Sequence, residues 1–213
     1  IGATDGTVRL WSATTGRQLR ELPVARPMPG LTVGLAFSPD GRRVVAPSGR
    51  SATVWDVRTG AKLLSVGPQP GVMTAAVFSP GGTLLATAGD DGTARLWDAR
   101  SGKPIRTIRV LPPAPGATVT ALAISADGKW LVAGASGDPT ASVWDVATGR
   151  RLLTLQHRDL GAVTPGGVQV AAVAVSPDRT RIATGGYDTT TKVWDAKTGA
   201  LLYTLYSHRS FVN

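Results

Sequence analysis

WDVRTG, running from Trp55 to Gly60, decides the fold because the chain writes it five times. WSATTG starts at Trp11, WDARSG at Trp97, WDVATG at Trp144 and WDAKTG at Trp194. Each Trp is followed four residues later by Thr or Ser and five residues later by Gly. The tryptophans lie 44, 42, 47 and 50 residues apart, the interval of a repeated supersecondary unit rather than of separate small domains.

Working outward from the hexapeptide, each unit divides into four short strands, a to d. Strand c carries the Trp, as TVRLW, ATVWD, TARLW, SVWD and TKVWD, and the Thr/Ser-Gly pair turns it into strand d, LLSV, PIRTI, LLTL or LLYTL. Strand a reads GLAFS, AAVFS, ALAIS and VAVS and ends at Ser38, Ser79, Ser125 and Ser176, with apolar residues on both faces. SPDG, SPGG, SADG and SPDR then turn the chain into strand b: VVAPS, LLATAG, LVAGA or IATGG. Six residues before its Trp, the b-to-c turn contains Asp5, Asp91, Asp138 or Asp188, with Gly49 at that place in the second unit.

A chain of 213 residues, 42% hydrophobic and 17% charged, is long enough to bury a substantial core as one all-β domain. Its longest clean apolar run, VAAVAV at 170–175, falls far short of the roughly 18 residues of a spanning helix, so no membrane association is expected. The absence of cysteine excludes disulfides and thiolate metal sites.

Four strands in about 40–45 residues, closed by Trp-Asp, describe a propeller blade. The chain resembles the WD-repeat β-propeller family over essentially its whole length, with Trp-Asp at 55–56, 97–98, 144–145 and 194–195 and Trp11-Ser12 in the first unit. The resemblance implies a Trp wedged between strands and a hydrogen-bonded Asp, His, Ser/Thr and Trp network in each blade. Thr184, Asp188, Trp194 and His157 supply all four types in the fifth unit, whereas the third has Thr87, Asp91 and Trp97 without a His. Blade stability is therefore expected to rest on Trp and aliphatic packing.

The expected fold is all-β: an incomplete ring of four-stranded antiparallel blades at about 1–22 (partial), 33–66, 72–108, 119–155 and 168–205, with another beginning at 206–213. The natural polypeptide is expected to be longer, its ring seven-bladed or part of a longer array, so that the remaining blades of the parent chain are themselves partners. The Ala-, Gly- and Arg-rich composition resembles bacterial members, in which propellers are often joined to signalling domains such as Ser/Thr kinases.

Length variation concentrates in the d-to-a connections, LPVARPMPG, GPQPG, VLPPAPGA and QHRDLGAVTPGG, which share one end of a propeller with the b-to-c turns. That end is the expected recognition surface for a protein or peptide. Its candidate contacts are Arg26, Met28, Gln69, Arg109, His157 and Arg158 from d-to-a connections, and Arg50, Asp90 and Tyr187 from b-to-c turns. Trp130, whose counterparts are Arg43, Leu84 and Arg181, is expected to pack at the rim.

Most of the acids occupy recurring turn positions: Asp5, Asp91, Asp138 and Asp188; Asp40, Asp127 and Asp178; Asp56, Asp98, Asp145 and Asp195. Arg and Lys never run longer than two, so the net charge of +9 reads as a general solvated surface rather than a nucleic-acid stripe. No Walker, G-x-G-x-x-G, H-E-x-x-H or G-x-S-x-G motif is present, and Asp90-Asp91 has no further convergent ligands in the sequence. The expectation is a noncatalytic interaction scaffold in the cytoplasm, without cofactor, metal or catalytic residues. A basic propeller binding nucleic acid, and a fragment of a propeller enzyme or kinase-linked sensor, stand as alternatives.

Overall fold

The computed structural model describes residues 7–23, 34–157 and 169–206, and every helix or strand within them is a strand. Asp5, Arg26, Met28 and Arg158 lie outside the described residues, as does the expected start of another blade after Tyr206.

Strands β1 (Val8–Trp11) and β2 (Gln18–Leu22) form an antiparallel hairpin. The second sheet comprises β3 (Ala36–Phe37), β4 (Arg43–Ser48), β5 (Ser51–Asp56) and β6 (Lys62–Val66). The third comprises β7 (Met73–Phe78), β8 (Leu84–Gly89), β9 (Thr93–Asp98) and β10 (Pro104–Arg109). The fourth comprises β11 (Val119–Ile124), β12 (Trp130–Ala135), β13 (Thr140–Asp145) and β14 (Arg151–Gln156). The fifth comprises β15 (Val170–Val175), β16 (Arg181–Gly186), β17 (Thr191–Asp195) and β18 (Leu201–Leu205). Each four-stranded sheet is a meander in which chain neighbours pair antiparallel. Sheet packs on sheet through the a and b strands, β4 on β7, β7 and β8 on β11, and β11 and β12 on β15, which puts the d strands outermost. These are propeller blades, and the described sheets do not close into a ring.

The hexapeptide turns share one chemistry. Asp56 Oδ1 accepts from the Thr59 N–H at 2.6 Å and from its hydroxyl at 2.7 Å, and Asp98 with Ser101, Asp145 with Thr148 and Asp195 with Thr198 repeat the pair. In the first unit, Ser12 Oγ accepts from the Thr15 N–H instead. The following Gly has φ between 65° and 75° at all five sites, a left-handed conformation that disfavours a side chain.

That glycine also has a packing role. Gly60 meets Arg20 of the preceding sheet, Gly102 meets Leu64, Gly149 meets Arg106 and Gly199 meets Leu153, each the third residue of a d strand. Where the residue is Arg it adds hydrogen bonds, from Arg20 Nη2 to the Arg58 carbonyl at 2.6 Å and from Arg106 Nη1 to the Thr148 carbonyl at 3.2 Å.

The main hydrophobic cores lie between sheets rather than within them. Val54 and Val66 of the second sheet meet Met73, Leu85 and Trp97 of the third; Leu96 and Ile108 of the third meet Leu122 and Leu131 of the fourth. Val143 and Leu155 then meet Ile182 and Trp194, while Val8, Leu10 and Leu22 meet Val44 and Trp55. Each of these indoles is thus pressed onto the sheet before it. Trp55 is 0% exposed, whereas Trp11, with no sheet before it among the described residues, is 45% exposed.

Candidate functional site

The b-to-c turns and d-to-a connections meet at one end and are tied to each other. Arg50 Nε donates to the Gln69 carbonyl at 2.6 Å, joining the second sheet's b-to-c turn to the connection entering the third. Asp90 Oδ1 accepts from the Val72 N–H at 2.7 Å, and the Asp90 N–H donates to the Val72 carbonyl at 3.0 Å. The Tyr187 N–H donates to the Gln169 carbonyl at 3.1 Å. Arg50, Asp90 and Arg109 are exposed and Tyr187 is half-buried, each in a b-to-c turn or at the start of a d-to-a connection of the second, third or fifth sheet.

Gln69 and His157 do not belong to that surface, contrary to the expectation from their positions in d-to-a connections. Both are buried, at 1% and 2% exposure, and each turns inward over a glycine of strand b. A Cβ at Gly89 would collide with Gln69 Nε2, and one at Gly186 with His157 Nε2. The missing side chain is what admits the polar group.

In the fifth sheet the imidazole completes a relay. Trp194 Nε1 donates to Thr184 Oγ1 at 2.9 Å, Thr184 Oγ1 lies 2.7 Å from His157 Nδ1, and His157 Nε2 lies 3.1 Å from Asp188 Oδ1. Because a carboxylate only accepts, the network assigns the imidazole proton to Nε2 and leaves Nδ1 to accept from the Thr184 hydroxyl. Burial raises the Asp188 pKa, but the Thr190 N–H and hydroxyl together with His157 outweigh it and hold it below 3.8.

Gln69 takes the imidazole's place in the third sheet. Trp97 Nε1 donates to Thr87 Oγ1 at 3.0 Å, the Thr87 hydroxyl donates to Gln69 Oε1 at 3.4 Å, and Gln69 Nε2 donates to the Ala88 carbonyl at 3.3 Å. An amide supplies both an acceptor and a donor but does not reach Asp91 here; Arg95 Nη2 does, at 2.8 Å. Burial again raises Asp91, and Arg95 and Thr93 more than reverse it.

The other sheets solve the indole differently. With Ala133 where the third and fifth sheets have Thr, Trp144 Nε1 donates to Ser142 on its own strand at 2.8 Å. The second sheet has Ala46 there, and Trp55 Nε1 is buried without a hydrogen-bond partner. Asp138 accepts from the Thr140 N–H and hydroxyl. Trp130 is half-buried beneath the Arg179 guanidinium, 5.2 Å from its ring centre, and Arg179 also pairs with Asp127, so it links the fourth and fifth sheets at the rim.

At the Asp90-Asp91 pair, one carboxylate holds Val72 and the other holds Thr93 and Arg95. Among the described residues, no group of three or more His, Cys, Asp or Glu side chains is placed to hold a metal, and no helix is long and apolar enough to cross a membrane.

Antiparallel four-stranded sheets packed face to face, each with a Trp on its third strand, define the propeller class of repeat proteins. The family described as WD domain, G-beta repeat matches residues 61–98, 102–145 and 160–195, more than half of the chain, and the chain belongs to that family. It is 29% identical over 100 residues to apoptotic protease-activating factor 1 of Rattus norvegicus, covering 46% of this chain and 8% of that protein. It is 33% identical over 125 residues to WD repeat-containing protein 90 of Homo sapiens, covering 56% of this chain and 7% of that one. Against the guanine nucleotide-binding protein subunit beta of Oryza sativa subsp. japonica it is 28% identical over 103 residues, 46% of this chain and 27% of the subunit. The chain thus spans a small part of the length of these relatives.

Proposed function

We propose that the chain is a noncatalytic protein-interaction scaffold. It presents its d-to-a connections and b-to-c turns, at one end of the blades, to a protein or peptide partner. The observation that carries this reading is the bracing of that end, where Arg50 and Asp90 fasten adjoining turns to blades whose buried tryptophans lock sheet to sheet. A surface held this way loses little conformational entropy on binding, and Arg and Tyr combine contact area with directed polar groups. Membership of the WD-repeat family, several of whose members match along their repeats, supports an interaction role over catalysis.

Arg50, Asp90, Arg109 and Tyr187 are the contacts within the described residues, and Arg26, Met28 and Arg158 complete the proposed surface from outside them. Further blades in the parent chain, a cytoplasmic setting and a bacterial source form part of the same proposal. The test is affinity purification with the chain as bait beside Arg109→Ala/Arg158→Ala/Tyr187→Ala. A discrete protein retained by the first and lost from the triple variant is expected. Equal recovery by both would remove this end as the recognition surface.

A further inference from the structure

The cations that look scattered in the sequence gather at the opposite end of the blades, where the a-to-b and c-to-d turns lie. Arg58 and Lys62 bracket Gly60, and Arg100 and Lys103 bracket Gly102, all four exposed. Arg150 follows Gly149, Lys197 precedes Gly199, and the a-to-b turns add Arg42 and Lys129, again exposed. Among these, only Lys129 lies within 4.0 Å of a carboxylate, that of Asp127.

The carboxylates of this end are folded into their own turns. Asp40, Asp56, Asp98, Asp145, Asp178 and Asp195 each accept from a nearby hydroxyl and from backbone N–H groups, and of the carboxylates at this end only Asp40, Asp127 and Asp178 are exposed among the described residues, so exposed cations outnumber exposed anions. At the other end, among the described residues, Arg50 and Arg109 are the only exposed cations, set beside Asp90, Asp91, Asp138 and Asp188.

An apolar feature accompanies the charge. The second residue of every d strand is an exposed aliphatic: Leu19 at 61%, Leu63 at 51%, Ile105 at 48%, Leu152 at 47% and Leu202 at 39%. Leu63 follows Lys62, Leu152 follows Arg151 and Ile105 lies two residues after Lys103, so in the second, third and fourth sheets a cation stands beside the exposed aliphatic.

We propose that this basic end and its aliphatic row bind an acidic polypeptide segment that carries apolar side chains between its carboxylates. Charge complementarity calls for a polyanion, and the aliphatics select among polyanions. A nucleic acid backbone offers them nothing apolar, and Trp130 and Trp144 at this end already lie against Arg179 and Arg151 rather than free for base stacking. A bilayer is a plane, whereas the d strands lie around the circumference, so few of the aliphatics could enter one together. This surface is independent of the recognition end proposed above.

The test is fluorescence anisotropy with a labelled peptide of repeating Glu-Glu-Leu, an all-Glu peptide of equal length and oligothymidylate, with phosphatidylserine vesicles assayed by flotation. The Glu-Glu-Leu peptide should bind most tightly and weaken with salt. Arg58→Glu/Lys62→Glu/Lys103→Glu/Arg150→Glu should weaken it about tenfold or more. Leu63→Ser/Ile105→Ser/Leu152→Ser should abolish the preference over all-Glu, and Arg50→Glu/Arg109→Glu should leave binding unchanged. Circular dichroism confirms folding, and Lys62→Glu and Lys103→Glu, each at an exposed site, give a second reading in the same direction. Tighter binding to oligothymidylate or vesicles, no binding to either peptide, or an equal loss with Arg50→Glu/Arg109→Glu overturns the proposal; none of these results bears on the affinity-purification test of the other end.

Discussion

At the scale of the residue, the repeat tryptophans of the four complete sheets answer one question in three ways. Trp97 and Trp194 find Thr87 and Thr184, Trp144 finds Ser142, and Trp55 finds nothing. A buried donor left unpaired costs about 1–3 kcal/mol. Ala46 pairs across with Thr53, two residues before Trp55, in the register by which Thr87 faces Arg95 and Thr184 faces Lys192. Ala46→Thr should therefore supply the acceptor and raise the urea midpoint, by about 0.5–1.5 kcal/mol in stability. Ala46→Val has the same shape without the hydroxyl and should not; equal gains from both would mean that volume alone is at work. Trp97→Ala removes both the hydrogen bond and the packing on Val54 and Val66, and should cost about 3–5 kcal/mol by denaturant titration. The role of the tryptophans was legible in the sequence because one residue recurs at one offset. That of Gln69 was not, since no pattern marks a Gln as standing in for a His 18 residues away from its Thr. The available signal was Gly89, which matches Gly186 and leaves room for the side chain.

At the scale of the element, the turns carry most of the organised polar chemistry. Asp178 is held to about 2 by the Ser176 hydroxyl and the Thr180 N–H, and hydroxyl hydrogen bonds likewise hold Asp40, Asp56, Asp98, Asp145 and Asp195 below 3.8. A carboxylate whose pKa is lower folded than unfolded contributes stability above its unfolded value, and that contribution disappears as pH falls through the folded one. Stability should thus hold near neutrality and decline between pH 3.8 and about 2, as followed by the thermal midpoint. Asp178→Asn should flatten that decline without abolishing it, because the other turns retain theirs; an unchanged acid profile would show that the turn bonds also persist in the unfolded chain. The strand segments were legible for a related reason, namely that turn chemistry repeats wherever a strand ends. GLAFS is the exception, since only Ala36–Phe37 pair as strand, and Phe37 is 56% exposed while Phe78, one sheet later, is 8% exposed. Gly34 weakens the start of that strand, and no a or b strand of the first sheet lies among the described residues to cover its face. The concentration of cations at one end escaped the sequence because it depends on which turns share an end, and a linear search for runs of charge cannot register it.

At the scale of the whole molecule, each sheet packs only on its neighbours, so stability is the sum of sheets and of the interfaces between them. The interfaces are specific. Arg43 of the second sheet reaches into the third, donating through Nη1 to the Ala99 carbonyl and through Nη2 to the Gly82 carbonyl, both at 2.8 Å, while its guanidinium lies 5.0 Å from the Phe78 ring centre. Val66, Ile108 and Leu155 are almost wholly buried by the next sheet, but Leu205, at the same strand position in the fifth, is 49% exposed. A sheet covered on both faces must break two interfaces to open, and one covered on a single face must break one. Native-state hydrogen exchange of this chain should therefore be slowest in β7–β9 and β11–β13 and faster in β1, β2, β17 and β18, by about ten- to a hundredfold. Arg43→Ala loosens one interface and should speed exchange in β4 and β5 while leaving β16 and β17 unchanged. Uniform protection across this chain, or a uniform response to Arg43→Ala, would mean that the sheets open as a single cooperative body and that the interfaces do not act one at a time.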